Sequence, residues 1–108
     1  KDPDEQLDYS VDWSRFLDTA TISSVVWSAK STGYSTKTIL ASGETLAVAS
    51  SAASTDTIQN VSQSNTSTVA TINIGGGTAN EEYTFFCKVI DSTGSQAERT
   101  IKLRVKER

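Results

Sequence analysis

The sequence predicts an all-β fold, an immunoglobulin-like antiparallel β-sandwich of about seven strands, and three observations carry that expectation. Apolar residues alternate with polar ones in short runs, the period of a half-buried strand. Turn signals such as Ser42-Gly43, Gly75-Gly76-Gly77 and Asp91-Ser92-Thr93-Gly94 punctuate the runs. No stretch carries a helical period, and 108 residues supply one sandwich core but not two. The same pattern would suit a small barrel; the length favours the sandwich.

The first run, Leu7 to Trp13, alternates strictly. It puts Leu7, Tyr9, Val11 and Trp13 on one face and Asp8, Ser10 and Asp12 on the other. Ser14 to Ala20 reads as a connection with Phe16 and Leu17 tucked beneath it. Thr21 to Ala29 is a second strand whose adjacent valines, Val25 and Val26, blur the period. Tyr34 to Ala41 and Glu44 to Ala49 are short candidate strands on either side of the Ser42-Gly43 turn. Ser50 to Asn65 is small and polar, with Ile58 and Val61 as its bulky anchors. It reads as a long loop, broken at most by a short edge strand around Thr57 to Val61. Thr68 to Ile74 returns to strand character with Ala70, Ile72 and Ile74 on one face, and the three glycines end it.

Tyr83 to Ile90 is the strongest strand signal in the chain. Tyr83, Phe85, Cys87 and Val89 line one face, while Phe86 and Ile90 make the other partly apolar, so this strand belongs in the middle of a sheet. Arg99 to Lys106 closes the series, with Ile101, Leu103 and Val105 inward and Lys102, Arg104 and Lys106 outward. One core should bury Trp13, Trp27, Phe85, Cys87, Ile101 and Leu103. The fold then divides into an N-terminal arm, residues 1–6, and one sandwich domain, residues 7–108.

Composition narrows the function classes. A formal charge of −3 exerts no general pull toward nucleic acid or anionic membrane. No apolar run is long enough to span a bilayer. No secretory signal is visible, and the absent initiator Met fits trimming ahead of Lys1. The chain has no histidine, which removes the commonest general base and metal ligand. A single cysteine permits no internal disulfide, so packing alone must hold the domain. Sixteen serines and fifteen threonines exceed ordinary globular usage. The patterned aromatic and β-branched residues favour a Thr-rich pleated surface over disorder.

Each motif has a structural explanation that outweighs the chemical one. The carboxylates Asp2, Asp4, Glu5, Asp8 and Asp12 lack a calcium-loop spacing and read as a solvated arm and an outward strand face. The three glycines lead into a strand with no following Lys, which suits a tight loop better than a phosphate cradle. Cys87 sits on the inward face of the most apolar strand, where a thiol is inert. Tyr83 is similar to the tyrosine corner of Greek-key sandwiches, although it precedes the cysteine by four positions instead of two. Trp13 and Trp27 could form a sugar-stacking platform, but both fall on apolar strand faces that favour the core. The charge split is the most informative feature: Asp8 and Asp12 on the first strand, Lys102, Arg104 and Lys106 on the last. In immunoglobulin-like topologies these strands often lie side by side, and opposite charges would favour their pairing. The same complementarity could join neighbouring copies.

The opening Lys1-Asp2-Pro3-Asp4-Glu5, Leu7-Asp8-Tyr9 and Asp12-Trp13 resembles the start of a family of small bacteriophage virion proteins, the fiber-tail adaptor or tail-associated proteins. The late part is similar too: Gly76-Gly77-Thr78-Ala79, Tyr83, the Gly94 turn, and Glu98-Arg99-Thr100-Ile101 running to Arg104-Val105. The middle, Ser31 to Ser67, departs by being longer and richer in Ser, Thr and Ala. The resemblance implies a non-enzymatic structural component of the virion tail, assembled in the bacterial host cytoplasm without cofactor or metal. Its partners would be other tail proteins and the tail fiber, in several symmetric copies, with no role for nucleic acid or membrane. The residues themselves single out Asp2, Pro3, Asp4 and Glu5 of the arm and Lys102, Arg104 and Lys106 as candidate partner contacts. The rival is an accessory carbohydrate-binding or adhesion module, which exposed aromatics would favour and buried ones oppose. An enzyme is disfavoured by the lack of histidine and of any convergent acid and base.

Overall fold

The alternation from Leu7 to Trp13 folds as strand β1 (Leu7–Asp12) in the computed structural model, which describes residues 5–31, 37–46, 58–77 and 79–106. A single helical turn, α1 (Ser14–Leu17), follows inside the expected connection and buries Leu17. Next come β2 (Ile22–Ser31), β3 (Thr38–Ile39), β4 (Thr45–Leu46), β5 (Ile58–Asn65), β6 (Val69–Gly76), β7 (Glu82–Asp91) and β8 (Gln96–Arg104). They form two antiparallel four-stranded sheets, ordered β1-β6-β5-β4 and β3-β2-β7-β8. The expected all-β sandwich is therefore present, with eight strands among the described residues; β3 and β4 bring the number above seven and are only two residues each there.

The core lies between the sheets. From one side come Val11, Ala70, Ile72, Ile74, Ile58 and Leu46; from the other Trp27, Ala29, Tyr83, Phe85, Cys87, Val89 and Leu103. Large and small residues alternate across the β2–β7 ladder: Trp27 stands opposite Cys87 and Ala29 opposite Phe85. That alternation lets the rings interdigitate at native density. Of the six residues expected in the core, five are buried. Ile101, on the edge strand β8, is only partly covered.

Three expectations need correction. First, residues 58–65 are a strand, and β5 lies between β6 and β4, not at an edge; the rest of the expected loop, residues 50–57, falls outside the described residues. Its register steps at Val61, where Asn60 pairs Ile74 but Ser62 pairs Asn73. The bulge shifts the inward positions from Ile58 and Asn60 to Gln63 and Asn65, so no single period runs through the segment. Second, β1 and β8 do not pair. They belong to different sheets because β6 and β7 take the two adjacent places. Third, Gly75 and Gly76 are inside β6, and only Gly77 leaves it. A Cβ on Gly75 would stand 2.9 Å from Val61 Cγ2, so glycine there accepts the bulge packed over it. Gly77 has φ +102°, and a Cβ would meet Val105 Cγ2 at 2.8 Å.

The blurred period of the second strand has a similar cause, a register step between Ile22 and Ser24. Among the described residues of the two short candidate strands, Thr38–Ile39 and Thr45–Leu46 form ladders; residues 34–36 and 47–49 lie outside the described residues.

Candidate interaction surfaces

Chemistry has little to work with. Cys87 is fully buried, and desolvation pushes its thiol up to about 11, with the nearby Trp13 indole N–H pulling weakly the other way. That N–H falls short of hydrogen-bond geometry, as does the buried N–H of Trp27. A thiol so placed is neither a nucleophile nor a metal ligand at neutral pH. Among the described residues no group of three or more cysteine or carboxylate side chains converges as a metal site. Among them, too, no helix is long and apolar enough to cross a membrane. Trp13 and Trp27 are each 1% exposed, so the tryptophan sugar platform does not exist.

The surface divides into two flanks. On one, the edges β3 and β4 are joined through the Ser42-Gly43 turn. Asn60 fastens this turn: its amide donates to Leu40 O at 3.0 Å and to Gln63 Oε1 at 2.7 Å, and Gly43 N donates to Asn60 O at 2.7 Å. Above it Val25, Val26, Trp27, Ile39, Leu40, Ala41 and Gln63 line a shallow groove of about 180 Å³. Ile39, 66% exposed, is the most exposed large hydrophobic residue described. Sequence reading missed this groove, because a two-residue edge strand that leaves an isoleucine uncovered has no periodic signature.

On the other flank lie β1 and β8. The Arg99 guanidinium stands 5.2 Å from the Trp13 ring centroid, which brings the end of β1 against the start of β8. Asp12 accepts hydrogen bonds from the Ser14 hydroxyl and the Ser14 N–H, and these, with a smaller contribution from Arg99, hold its carboxyl below the ordinary value. Asp8 accepts from Asn73 Nδ2 at 2.8 Å. On β8, Lys102 is exposed opposite Thr84, and Arg104 is exposed opposite Glu82; Lys106 follows, also exposed. Thus Lys102, Arg104 and Lys106 gather at one end of the edge strand. Glu98, at the other end, is paired with Lys37 at 2.9 Å, and Lys37 Nζ also sits 4.2 Å from the Phe86 ring centroid.

Of the arm, Asp2, Pro3 and Asp4 lie outside the described residues. Glu5 is half-buried, and the Gln6 side chain packs near Gly75.

A β-sandwich with exposed, charge-marked edge strands has the surfaces of a protein-binding module. Family comparison places it further: the podophage GP4 fiber-tail adaptor protein gp77 family matches over residues 1–39 and 31–104, and the chain belongs to that family. It is accordingly a structural, non-enzymatic component of the phage virion tail. No curated protein and no solved structure matched the chain.

Proposed function

We propose that the chain bridges the phage tail and its fibers through two separate surfaces, the N-terminal arm (residues 1–6) and the basic end of β8, presented by a sandwich domain of residues 7–108 in several symmetric copies. The observation that carries this reading is the placement of Lys102 and Arg104 on an edge strand and of Lys106 just after it, all exposed and away from the groove flank. Edge strands offer both unpaired backbone groups and side chains to a neighbour. The arm precedes β1 and carries Asp2, Asp4 and Glu5 around Pro3, a composition that neither extends a helix nor joins a central strand. Charges of this kind contribute about 0–1 kcal/mol singly, so a useful contact needs several acting together on one basic patch.

Deleting residues 1–6 tests the arm. The isolated domain should keep its melting temperature, while incorporation into particles falls, with the difference from wild type largest at low salt and shrinking as salt screens the arm's charges. Incorporation at the wild-type level would reduce the arm to a frayed terminus and overturn its role.

A further inference from the structure

We propose that the outward face of β2, β7 and β8, centred on Phe86, docks an acidic segment of another protein, one that carries apolar residues between its carboxylates. This rests on the bridging function above for Lys102 alone, and it adds the chemistry of the partner.

The ladders set out this face row by row. Trp27, Ala29, Phe85 and Cys87 turn into the core, so their neighbours along β2 and β7 turn outward. Lys30, Thr84 and Lys102 form one row across the three strands, Ser28, Phe86 and Thr100 the next, and Val26, Lys88 and Glu98 the third. Ile39 extends the middle row from β3. Lys37, just before β3, reaches over the Phe86 ring and ends on Glu98. Four lysines thus share the face with Glu98. Glu82 and Arg104, beyond the first row, stand opposite each other, and each is engaged within the molecule, so the two add no net charge.

The core accounts neither for this charge nor for Phe86. The chain carries a net −3, and β1, β4, β5 and β6 contain no lysine or arginine. Positive charge is gathered instead on the other sheet. There Lys30 and Lys102 stand on either side of Thr84, and among the described residues no hydrogen bond or ion pair holds Lys30, Lys88 or Lys102. Like charges so placed repel one another and cost stability until an anion joins them. Phe86 is 9% exposed yet lies outside the core cluster. Two ammonium groups stand over its ring, Lys37 Nζ at 4.2 Å and Lys30 Nζ at 6.0 Å from the centroid.

The Lys37–Glu98 pair, 2.9 Å long, is exposed at both ends, and such a pair adds little to stability. A partner carboxylate can replace Glu98 on Lys37 without lifting the ammonium from the ring. Further carboxylates fall to Lys30, Lys88 and Lys102, and apolar side chains to Val26 and Ile39, both exposed on the same face. Carboxylates suit these cations better than phosphates do. The unpaired cations are all lysines, while Arg99 turns to the Trp13 ring and Arg104 already has a contact within the molecule, so no guanidinium fork awaits a phosphate.

The probe is a peptide alternating Glu and Leu, followed on the full chain by fluorescence anisotropy and amide chemical-shift mapping. It should bind with an affinity that falls as salt rises, and its shifts should cluster on β2, β7 and β8. A Gln-Leu peptide should bind at least about tenfold more weakly. The Lys30→Gln/Lys88→Gln variant should lose Glu-Leu binding to a similar degree while keeping a cooperative melt. Glu98→Gln removes the competing carboxylate and should tighten binding more than Asp18→Asn, the same change of charge at an exposed position after α1. The proposal is overturned by absence of Glu-Leu binding at low salt, by equal binding of the Gln-Leu peptide, or by shifts confined to β1, β5 and β6. A Glu98→Gln effect no larger than that of Asp18→Asn overturns it too. So does tighter binding of oligothymidylate at the same residues, which would make the face a nucleic-acid surface. Particles separate this face from the arm. A Lys30→Gln/Lys88→Gln variant that enters particles and carries fibers at the wild-type level overturns the face and leaves the bridge to the arm and Lys106. Loss of incorporation in that variant, with the arm deletion silent, upholds the face and overturns the arm.

Discussion

Strands β5 and β7 hold equivalent places, each flanked by two neighbours in a four-stranded sheet, yet they are built in opposite ways. In β7 the inward residues are Tyr83, Phe85, Cys87 and Val89, all fully buried, and the strand would seek the core from its own composition. In β5 the inward residues are Ile58, Asn60, Gln63 and Asn65, and a bulge breaks the period between the second and third. Its place is secured by neighbours instead: the Asn60 amide on the Leu40 carbonyl, and ladders to β4 and β6. An interior strand can therefore be driven by its own apolar face, or recruited by backbone pairing once stronger strands have formed the sheet.

The sharpest way to break this contrast is to delete one residue from each strand. Removing Thr84 from β7 forces either Tyr83 or the Phe85–Val89 set onto the outer face, and cooperative unfolding should disappear. Removing Val61 from β5 restores a regular alternation with Ile58, Asn60, Gln63 and Asn65 still inward. Its cost should be about 1 kcal/mol in a urea titration. Equal damage from the two deletions would show that β5 is as strongly registered as β7.

Smaller losses sharpen the same point. Phe85→Ala should destabilise by about 3–5 kcal/mol, since the fully buried ring leaves a cavity its neighbours cannot fill. A near-neutral result would mean that β7 does not organise the core. Asn60→Ala should cost less, about 1–3 kcal/mol, because the buried Leu40 carbonyl loses its side-chain donor. Amide exchange should then quicken in β5 and the 41–46 turn ahead of β7. Uniform acceleration across both sheets would contradict the separate anchoring of β5.

The ends of β7 supply the smallest effect. Asp91 accepts from the Thr93 hydroxyl at 2.6 Å, Thr93 N at 2.8 Å and Ser95 N at 2.9 Å, and the Thr93 hydroxyl is the main cause of its lowered carboxyl pKa. A carboxyl depressed in the folded state contributes stability above its unfolded pKa of about 3.9, and that contribution is lost as pH falls through the folded value. Stability should thus drop on acidification below about pH 4, and Asp91→Asn should flatten this limb while lowering stability at neutral pH. An unchanged acid limb in the variant would assign the titration to other groups, Asp12 among them.

By itself the sequence determined the sandwich class, β1, β6, β7 and β8, most of the core and the Asp91 turn. Each of these is a local rule: period-2 alternation decides which face is buried, and Asp-Ser-Thr-Gly bonds its own backbone. It also set out the acidic and basic strands, which are visible as composition. Only the tertiary structure decided that Ile58–Asn65 is an interior strand, that Gly75 lies within β6, and that Ile39 borders a groove. It also decided that the charged strands occupy edges of separate sheets and do not pair with each other. Those outcomes depend on which strand takes the place beside which, and on a bulge that changes face by one residue. Neighbour choice is made by residues far apart in the chain, as when Asn60 takes the Leu40 carbonyl or β6 takes the side of β1, so no window along the sequence contains it.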